Sequence, residues 1–197
     1  AGGDGLLTLT PPASQEPPDR YTYDPNDPVP SQGGAMMVPR AGIRLQNDVE
    51  HRPDVLVYST APLEEPMEVT GPVSLTLHVS TTAPSTDFAA KLVDVHPDGS
   101  AYNVTDGILR RKYESTERPI EIHIDLWPTS MVFLKCHRVR LEISSSNYPR
   151  FDRNPNTGHP IATETETLAA HQTIHHSPQT PSRLMLPIIP SEHGGQT

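Results

Sequence analysis

Serine, histidine and acidic residues are the side chains with which this chain could build a hydrolytic site. Three consecutive serines, Ser144–Ser146, directly follow an alternating strand pattern. A nucleophilic serine on a sharp strand-to-helix turn is normally flanked by glycines, as G-x-S-x-G, and the sequence contains no such motif. Triads are defined by geometry and not by sequence order. We nevertheless predict that this chain carries no complete Ser-His-Asp triad and no catalytic residue of its own.

Ten histidines raise the question of a metal site. His171 and His175 stand four residues apart, as on one face of a helix, and His176 is adjacent. The sequence has no H-E-x-x-H motif, and Glu164 and Glu166 are not at a known ligand spacing. These histidines are therefore interpreted as surface side chains, and neither a metal nor another cofactor is predicted.

The run Asp152–Gly158 resembles the beginning of a calcium loop, D-x-N-x-N. Its glycine comes one place late, and Thr163 stands where a calcium loop has a bidentate glutamate. The same residue types favour a turn in which Asn and Asp side chains bond to their own backbone. We therefore predict a polar turn here.

Several other reactive or charged groups are predicted to be structural or solvated. Cys136 and His137 would point to opposite faces of a strand, so Cys136 is expected to be a small buried hydrophobe. A single cysteine cannot form an internal disulfide. Solvated positions are expected for the acidic cluster Glu64, Glu65 and Glu68 and for the basic run Arg110–Lys112. The glycosylation sequon that begins at Asn103 is of a kind common by chance.

Composition limits the possible classes of protein. The chain has 197 residues, a net charge of −9 and 34% apolar residues, and its 23 prolines are concentrated toward both ends. A strongly acidic chain does not favour nucleic acid, and no basic run or long apolar segment indicates a membrane. Proline disfavours long helices. These features predict one soluble domain with a β-rich body and extended arms, and they leave open whether it is cytoplasmic or secreted.

The clearest element is a hairpin within Thr86–Gly107. Phe88, Ala90 and Leu92 recur at every second position, as a half-buried strand requires. His96–Gly99, with the sequence His-Pro-Asp-Gly, supplies a tight turn. A hairpin is not stable alone in water, so further strands must cover its apolar face.

The same alternation predicts the covering strands. They are Asp54–Thr60, Val69–Ser80, Ile120–Trp127, Arg138–Ile143 and a last strand through Leu184, Leu186 and Ile188. Pro128–Lys135 is expected to connect two of them, and only Thr165–His175 could be helical. Eight to ten strands separated by turn signals favour an all-β, antiparallel jelly-roll β-sandwich of the galactose-binding-like type.

The proline-rich front of the chain is predicted to differ from the body. Residues 1–20 are interpreted as a linker or arm, and residues 21–197 as the jelly-roll domain. Leu6, Leu7 and Leu9 could form a short edge strand within the arm. Tyr21–Gly34 is expected to be an ordered, non-helical ribbon on the surface, with a flexible linker as the alternative.

Four stretches carry a family resemblance: YTYDPNDPVPSQGG from Tyr21, the run from Arg52 to Arg110, the run from Ser130 to Gly158, and RLMLPIIP from Arg183. Asp87–Gly99 and Ser144–Gly158 are its most specific parts. Together they resemble the C-terminal domain of the CocE/NonD serine hydrolases, the group of cocaine esterase, α-amino acid ester hydrolases and X-Pro dipeptidyl-peptidases. The resemblance covers the chain from about Tyr21 to Pro190.

The resemblance implies a non-catalytic jelly-roll domain whose partner is an upstream α/β-hydrolase domain holding the Ser, Asp and His triad. Such a domain packs on its partner and shapes the substrate cleft. The segment after the paired glycines would line that cleft, which here means Met37 and Val38 after Gly33-Gly34. The family commonly has larger apolar or aromatic groups at those two positions. Cys136 also departs from the family pattern, which usually has glycine before the His-Arg pair.

Two other accounts stay open. The chain could be a free-standing carbohydrate-binding jelly roll, for which Trp127 on the polar face is the one candidate platform residue, although aromatic content is only 5%. It could also be one piece of a processed hydrolase with the triad on another chain. Homo-oligomer formation and the parent's substrate, whether an ester, an amide or a prolyl peptide, are likewise open.

Overall fold

Two β-sheets form the body of the protein. The computed structural model describes residues 4–37, 39, 41–113 and 118–190. Within these ranges the elements are β1 (Asp4–Leu6), β2 (Asp19–Tyr23), a short helix α1 (Asn47–Glu50), β3 (Leu56–Ser59), β4 (Met67–Thr81), β5 (Ser85–Val95), β6 (Ala101–Lys112), β7 (Ile120–Phe133), β8 (Arg138–Ser144), a 3-10 helix (Ile161–Thr163), β9 (Ala170–His175), β10 (Arg183–Met185) and β11 (Ile188–Ile189). Neither described helix has the length and apolar character needed to cross a bilayer.

The strands pair as a sandwich. The first sheet has the order β1-β3-β8-β5-β6, and the second has the order β10-β4-β9-β2, with β7 and β11 also paired with β4. The described pairings are antiparallel except for the parallel pair of β1 and β3. Apolar side chains from both sheets, including Leu75, Leu77, Phe88, Leu92 and Ile124, form the main core between them. The predicted antiparallel all-β sandwich of jelly-roll type is confirmed.

β5 and β6 form the predicted hairpin, and its turn is built around Gly99. The Gly99 N–H donates to the His96 carbonyl at 2.9 Å, and Gly99 has a φ of 88°, which glycine adopts without steric cost. β5 differs from the expected half-buried strand because both of its faces are buried. Phe88 and Leu92 face the main core. The opposite face is covered by residues that precede β3, among them Gln46, whose side chain meets that of Lys91.

β4 and β7 form the longest pairing, and the alternation predicted for Val69–Ser80 is confirmed. The expected connection over Pro128–Lys135 is wrong, because β7 continues to Phe133. At this point both β4 and β7 are irregular, and the two strands stay paired. Trp127 has a φ of 68°, and the register shifts between Pro72 and Ser74 on β4. Such a bulge bends a strand without ending it.

The front of the chain is more integrated than its composition indicated. β1 pairs with β3 as a short edge strand. Tyr21 and Tyr23 on β2 are buried in the core, so the expected surface ribbon is wrong for its first residues. The predicted domain boundary after residue 20 falls inside β2 and stays a prediction.

The expected helix over Thr165–His175 is also wrong. β9 occupies part of that range and lies between β4 and β2 in the second sheet. Ala170, Gln172 and Ile174 are buried and alternate with more accessible residues, as a period of two requires. Pairing with strands on both sides outweighs the weak local preference for a helix. The predicted last strand is divided into β10 and β11 at Leu186 and Pro187.

Candidate functional site

The segment from Gly33 to Gly42, here called the 33–42 loop, contains the two residues predicted to line a substrate cleft. The Gly34 N–H donates to the Gly42 carbonyl at 2.7 Å, and the Gly42 N–H donates to the Gly34 carbonyl at 2.9 Å. Gly34 and Gly42 have φ values of 93° and 83°, in the region that favours glycine. These two reciprocal bonds close the loop and fix its base.

Buried amide side chains fasten the base of the loop to the first sheet. Asn103 Oδ1 accepts the Arg44 N–H at 2.7 Å, and Asn103 Nδ2 donates to the Gly42 carbonyl at 3.2 Å. Gln46 Nε2 donates to the Gln32 carbonyl at 2.8 Å. Buried polar groups that are fully engaged in this way hold a unique geometry. The predicted sequon at Asn103 is accordingly a buried structural amide.

A buried ion pair lies directly beneath the paired glycines. Arg150 Nη2 is 2.8 Å from Asp106 Oδ1, and Asn147 Nδ2 donates to Asp106 Oδ2 at 2.9 Å. Burial raises the pKa of Asp106, although the Arg150 guanidinium opposes this shift. A Cβ atom at Gly34 would lie 2.9 Å from Arg150 Nη1. A side chain at position 34 would therefore have to shift the Arg150 guanidinium in this ion pair, in addition to adopting the φ that favours glycine.

Met37 is fully exposed on this fixed base. Ile43 and Leu45, just after the loop, are also exposed apolar side chains. Val38, the second predicted cleft residue, lies outside the described residues. The loop thus offers an apolar contact surface, and its described residues bring no nucleophile, acid or base to a common point.

Comparison with known proteins decides what kind of domain this is. The sequence profile described as X-Pro dipeptidyl-peptidase C-terminal non-catalytic domain matches residues 2–185. The chain belongs to this family. Cocaine esterase of Rhodococcus sp. is 46% identical to it over 201 residues, which cover 95% of this chain and 35% of the esterase. A putative serine esterase of Mycobacterium bovis is 30% identical over 161 residues, which cover 68% of this chain and 24% of that protein.

Solved structures agree with the assignment to the X-Pro dipeptidyl-peptidase C-terminal domains. An α-amino acid ester hydrolase matches with a TM-score of 0.82 and 30% identity, over 94% of this chain and 35% of that one. An aminopeptidase from a marine sediment Thaumarchaeota archaeon matches with a TM-score of 0.85 and 28% identity, over 95% and 35%. This chain therefore spans about a third of the length of these relatives, and the activities in their names are those of longer chains.

The hydroxyls of the three serines in this C-terminal domain are engaged in structural hydrogen bonds. Ser144 Oγ donates to the Ser146 carbonyl at 3.0 Å, and Ser146 Oγ accepts the Val29 N–H at 2.9 Å. Ser145 Oγ bonds to the Tyr21 hydroxyl at 2.9 Å. No imidazole is hydrogen-bonded to these hydroxyls within the described ranges.

The histidines near the C-terminus do not converge as metal ligands within the described part of the chain. His171 Nδ1 bonds to Thr22 Oγ1 at 2.9 Å, and His175 Nε2 bonds to Ser80 Oγ at 3.0 Å. His176 lies against Glu16 and Asp19. Because β9 is a strand and not a helix, His171 and His175 lie on one face but about 13 Å apart along it, too far to share one ion.

The polar turn predicted for Asp152–Gly158 is confirmed. The Asn156 N–H donates to Asn154 Oδ1 at 3.0 Å, which is the local bond of an Asx turn. Asn154 Nδ2 also donates to the buried Asp87 at 2.8 Å. Arg110 Nη2 binds the other oxygen of Asp87 at 2.7 Å. The turn is thereby tied to β5 and β6, and one member of the basic run has a structural role that the sequence did not indicate.

The acidic cluster and Trp127 are both exposed. Glu64, Glu65 and Glu68 are exposed, as predicted for solvated carboxylates. Trp127 is 62% exposed, so it has the accessibility that a carbohydrate-binding platform would require in the alternative account. The family assignment, however, favours a hydrolase domain over a free-standing module.

Cys136 contradicts the expectation of a buried hydrophobe, because it is exposed. It lies in the turn before β8, where its N–H donates to the Leu63 carbonyl at 2.9 Å. Its φ is 67°, in the left-handed region. Glycine, which the family resemblance leads us to expect at this position, adopts such a φ without steric cost.

Replacing Cys136 with glycine should therefore stabilise the protein. A residue with a Cβ in the left-handed region costs about 1–2 kcal/mol, partly offset by the greater unfolded-state freedom of glycine. We expect the free energy of unfolding to rise by about 1 kcal/mol and Tm to rise by about 2–4 °C in calorimetry. The control Cys136→Ser keeps the Cβ and removes the thiol, and it should leave Tm unchanged. An equal rise in both variants would contradict the backbone explanation.

Sequence reasoning missed a buried charge network on the covered face of the first sheet. Lys91 Nζ is 3.3 Å from Glu142 Oε2 and donates to Gln46 Oε1 at 3.0 Å. Arg140 Nη1 donates to Glu50 Oε2 at 2.7 Å. Burial raises the pKa of Glu142, and burial beside Glu142 raises the pKa of Glu50 to about 7. The alternation of apolar and polar residues predicted that one face of β8 is exposed to solvent. No local sequence pattern indicated that other residues cover this face.

Proposed function

We propose that this domain packs on an upstream α/β-hydrolase catalytic domain and that its 33–42 loop forms part of the wall of the substrate cleft. The observation that carries the proposal is Met37, a fully exposed apolar side chain on a loop whose base is closed by backbone bonds. Transfer of a methionine side chain from water into a contact is favourable by about 1.5–3 kcal/mol. Because backbone bonds already close the base of the loop, less backbone freedom is lost when that contact forms.

The chemistry assigned to the catalytic partner is acyl transfer from an ester or amide. The relatives are named as an esterase, an α-amino acid ester hydrolase and an aminopeptidase, which all cleave acyl compounds. The Ser, His and Asp groups needed for that reaction are supplied by the upstream domain in this proposal. Met37 would contact an apolar part of the substrate.

The variant Met37→Asp in the full-length parent tests the role of the loop. A charge placed against an apolar substrate group should raise KM by at least about tenfold, with kcat less affected, because the lost contact is present in both the bound substrate and the transition state. The matched control is Met185→Asp, since Met185 is an exposed methionine on β10 in the other sheet. An unchanged KM in Met37→Asp, or an equal change in Met185→Asp, would show that the loop does not line the cleft.

A further inference from the structure

Three potential metal ligands meet at one end of the sandwich. Asp94 lies near the end of β5, His96 begins the hairpin turn, and His137 immediately precedes β8. His137 Nδ1 is 2.9 Å from Asp94 Oδ1, and His96 Nε2 is 3.4 Å from Asp94 Oδ2. One donor atom from each residue lies within 4.8 Å of the other two.

We propose that Asp94, His96 and His137 bind one divalent transition-metal ion of the zinc type. Two imidazole nitrogens and one carboxylate oxygen form a donor set that zinc commonly takes. Bonds of about 2.0–2.1 Å in a tetrahedron place neighbouring donor atoms about 3.3 Å apart, close to the separations of Asp94 from the two histidines. Small side-chain rotations are therefore enough to enclose an ion.

The surroundings favour a cation at this point. Asp94 and His137 are buried, which fixes their side chains, whereas His96 is half-exposed and leaves a route of entry. A cavity of about 260 Å³ adjoins the cluster and is lined by Asp94 and His96 together with Ile43, Tyr102, Asn103 and Met131. This cavity provides room for a fourth ligand such as water. The net charge of −9 also favours cation binding.

Metal binding replaces a hydrogen bond that is present in its absence. In the hydrogen bond between His137 and Asp94, the imidazole Nδ1–H donates to the carboxylate. For coordination through Nδ1, the neutral imidazole must carry its proton on Nε2. The Nδ1 proton therefore leaves to solvent while Nε2 takes one up, and the ion bridges the two side chains in place of the hydrogen bond. The imidazole rings of His96 and His137 already lie with their centroids 4.4 Å apart, so neither ring needs a large movement to reach a shared ion.

Titration of the 197-residue chain with Co²⁺, followed by displacement with Zn²⁺, tests this site. We expect one saturable equivalent of Co²⁺ with visible absorption typical of nitrogen and oxygen ligands, and its loss when Zn²⁺ is added. His96→Gln should weaken binding by more than about tenfold, since loss of even a supporting partner of a ligand costs about 10–100-fold. His96 is half-exposed, so this variant should keep the wild-type unfolding temperature in the absence of metal.

His171→Gln is the matched control, because His171 is an exposed histidine on β9 with its own hydroxyl partner. It should leave the affinity unchanged. The proposal would be overturned by the absence of saturable binding, by equal affinities of wild type and His96→Gln, or by an equal loss in His171→Gln. Asp94→Asn provides a second test, in which metal should no longer raise the unfolding temperature.

Discussion

Replacing Gly107 with alanine should lower the free energy of unfolding by about 3 kcal/mol or more, the upper part of the range for overpacked sites. Gly107 lies on β6 of the first sheet, where it passes against β7 of the second sheet. A Cβ atom at Gly107 would lie 2.0 Å from the backbone oxygen of Asp125 and 2.9 Å from its carbonyl carbon. Both obstacles are backbone atoms, so the two strands would have to separate. Urea denaturation followed by circular dichroism measures the loss.

Gly99→Ala separates a steric collision from the general effect of losing a glycine. Gly99 is in the hairpin turn with a φ of 88°, and a Cβ atom there would meet nothing within 4 Å. Its replacement should cost only the left-handed backbone penalty, about 1–2 kcal/mol. If Gly107→Ala were no more destabilising than Gly99→Ala, the close approach of the two sheets at this point would be incorrect.

The second large effect is expected from Lys91→Met, which should destabilise the protein by about 3–5 kcal/mol because it leaves a buried carboxylate without its partner. The side chains of Lys91 and Glu142 are almost completely buried. The double variant Lys91→Met/Glu142→Leu should recover most of the loss, because it removes both charges. A double variant as unstable as Lys91→Met would show that the loss comes from packing and not from charge.

The loss in Lys91→Met should increase with pH. Burial raises the pKa of Glu142 above its unfolded value, and the Lys91 charge limits that rise. A raised carboxyl pKa means that the folded state binds more protons than the unfolded state, so stability falls as pH rises above the unfolded pKa. Without Lys91 the pKa rises further and the fall is larger. Denaturation at about pH 5 and about pH 8 should therefore show a smaller loss at the lower pH.

The sequence predicted those strands whose two faces differ in polarity. β4 and the hairpin were predicted from a period of two and from the His-Pro-Asp-Gly turn, because both signals are local. The burial of both faces of β5 was not predictable in the same way. The burial of the second face depends on residues much earlier in the sequence, such as Gln46, which lie across the sheet. The expected helix before His175 failed for the same reason, since pairing partners distant in sequence made β9 a strand.

The candidate cleft residues were predicted only from the family resemblance. Met37 was predicted from its place after Gly33-Gly34, the structure has it fully exposed, and its role in a cleft wall stays a prediction. The supports of the loop, Asn103 and Arg150, were not identified, because they are brought to it from positions distant in sequence. Asp94 and His96 are two residues apart at the end of a strand, which places them on one side. Their meeting with His137 depends on the pairing of β5 with β8.

Enclosure of Met37 in a cleft against the catalytic partner is most directly measured through the access of a bulky reagent to a thiol at that position. Met37→Cys would be made in a Cys136→Ser background, which removes the exposed native thiol. Its reaction with a bulky maleimide would be timed in the 197-residue chain and in the full-length parent, with Met185→Cys in the same background as the control. We expect the rate at position 37 to fall by at least about tenfold in the parent, since thiol reactivity depends on access, with no change at position 185. Equal rates at position 37 in the two proteins would contradict the docking of the 33–42 loop against the catalytic domain.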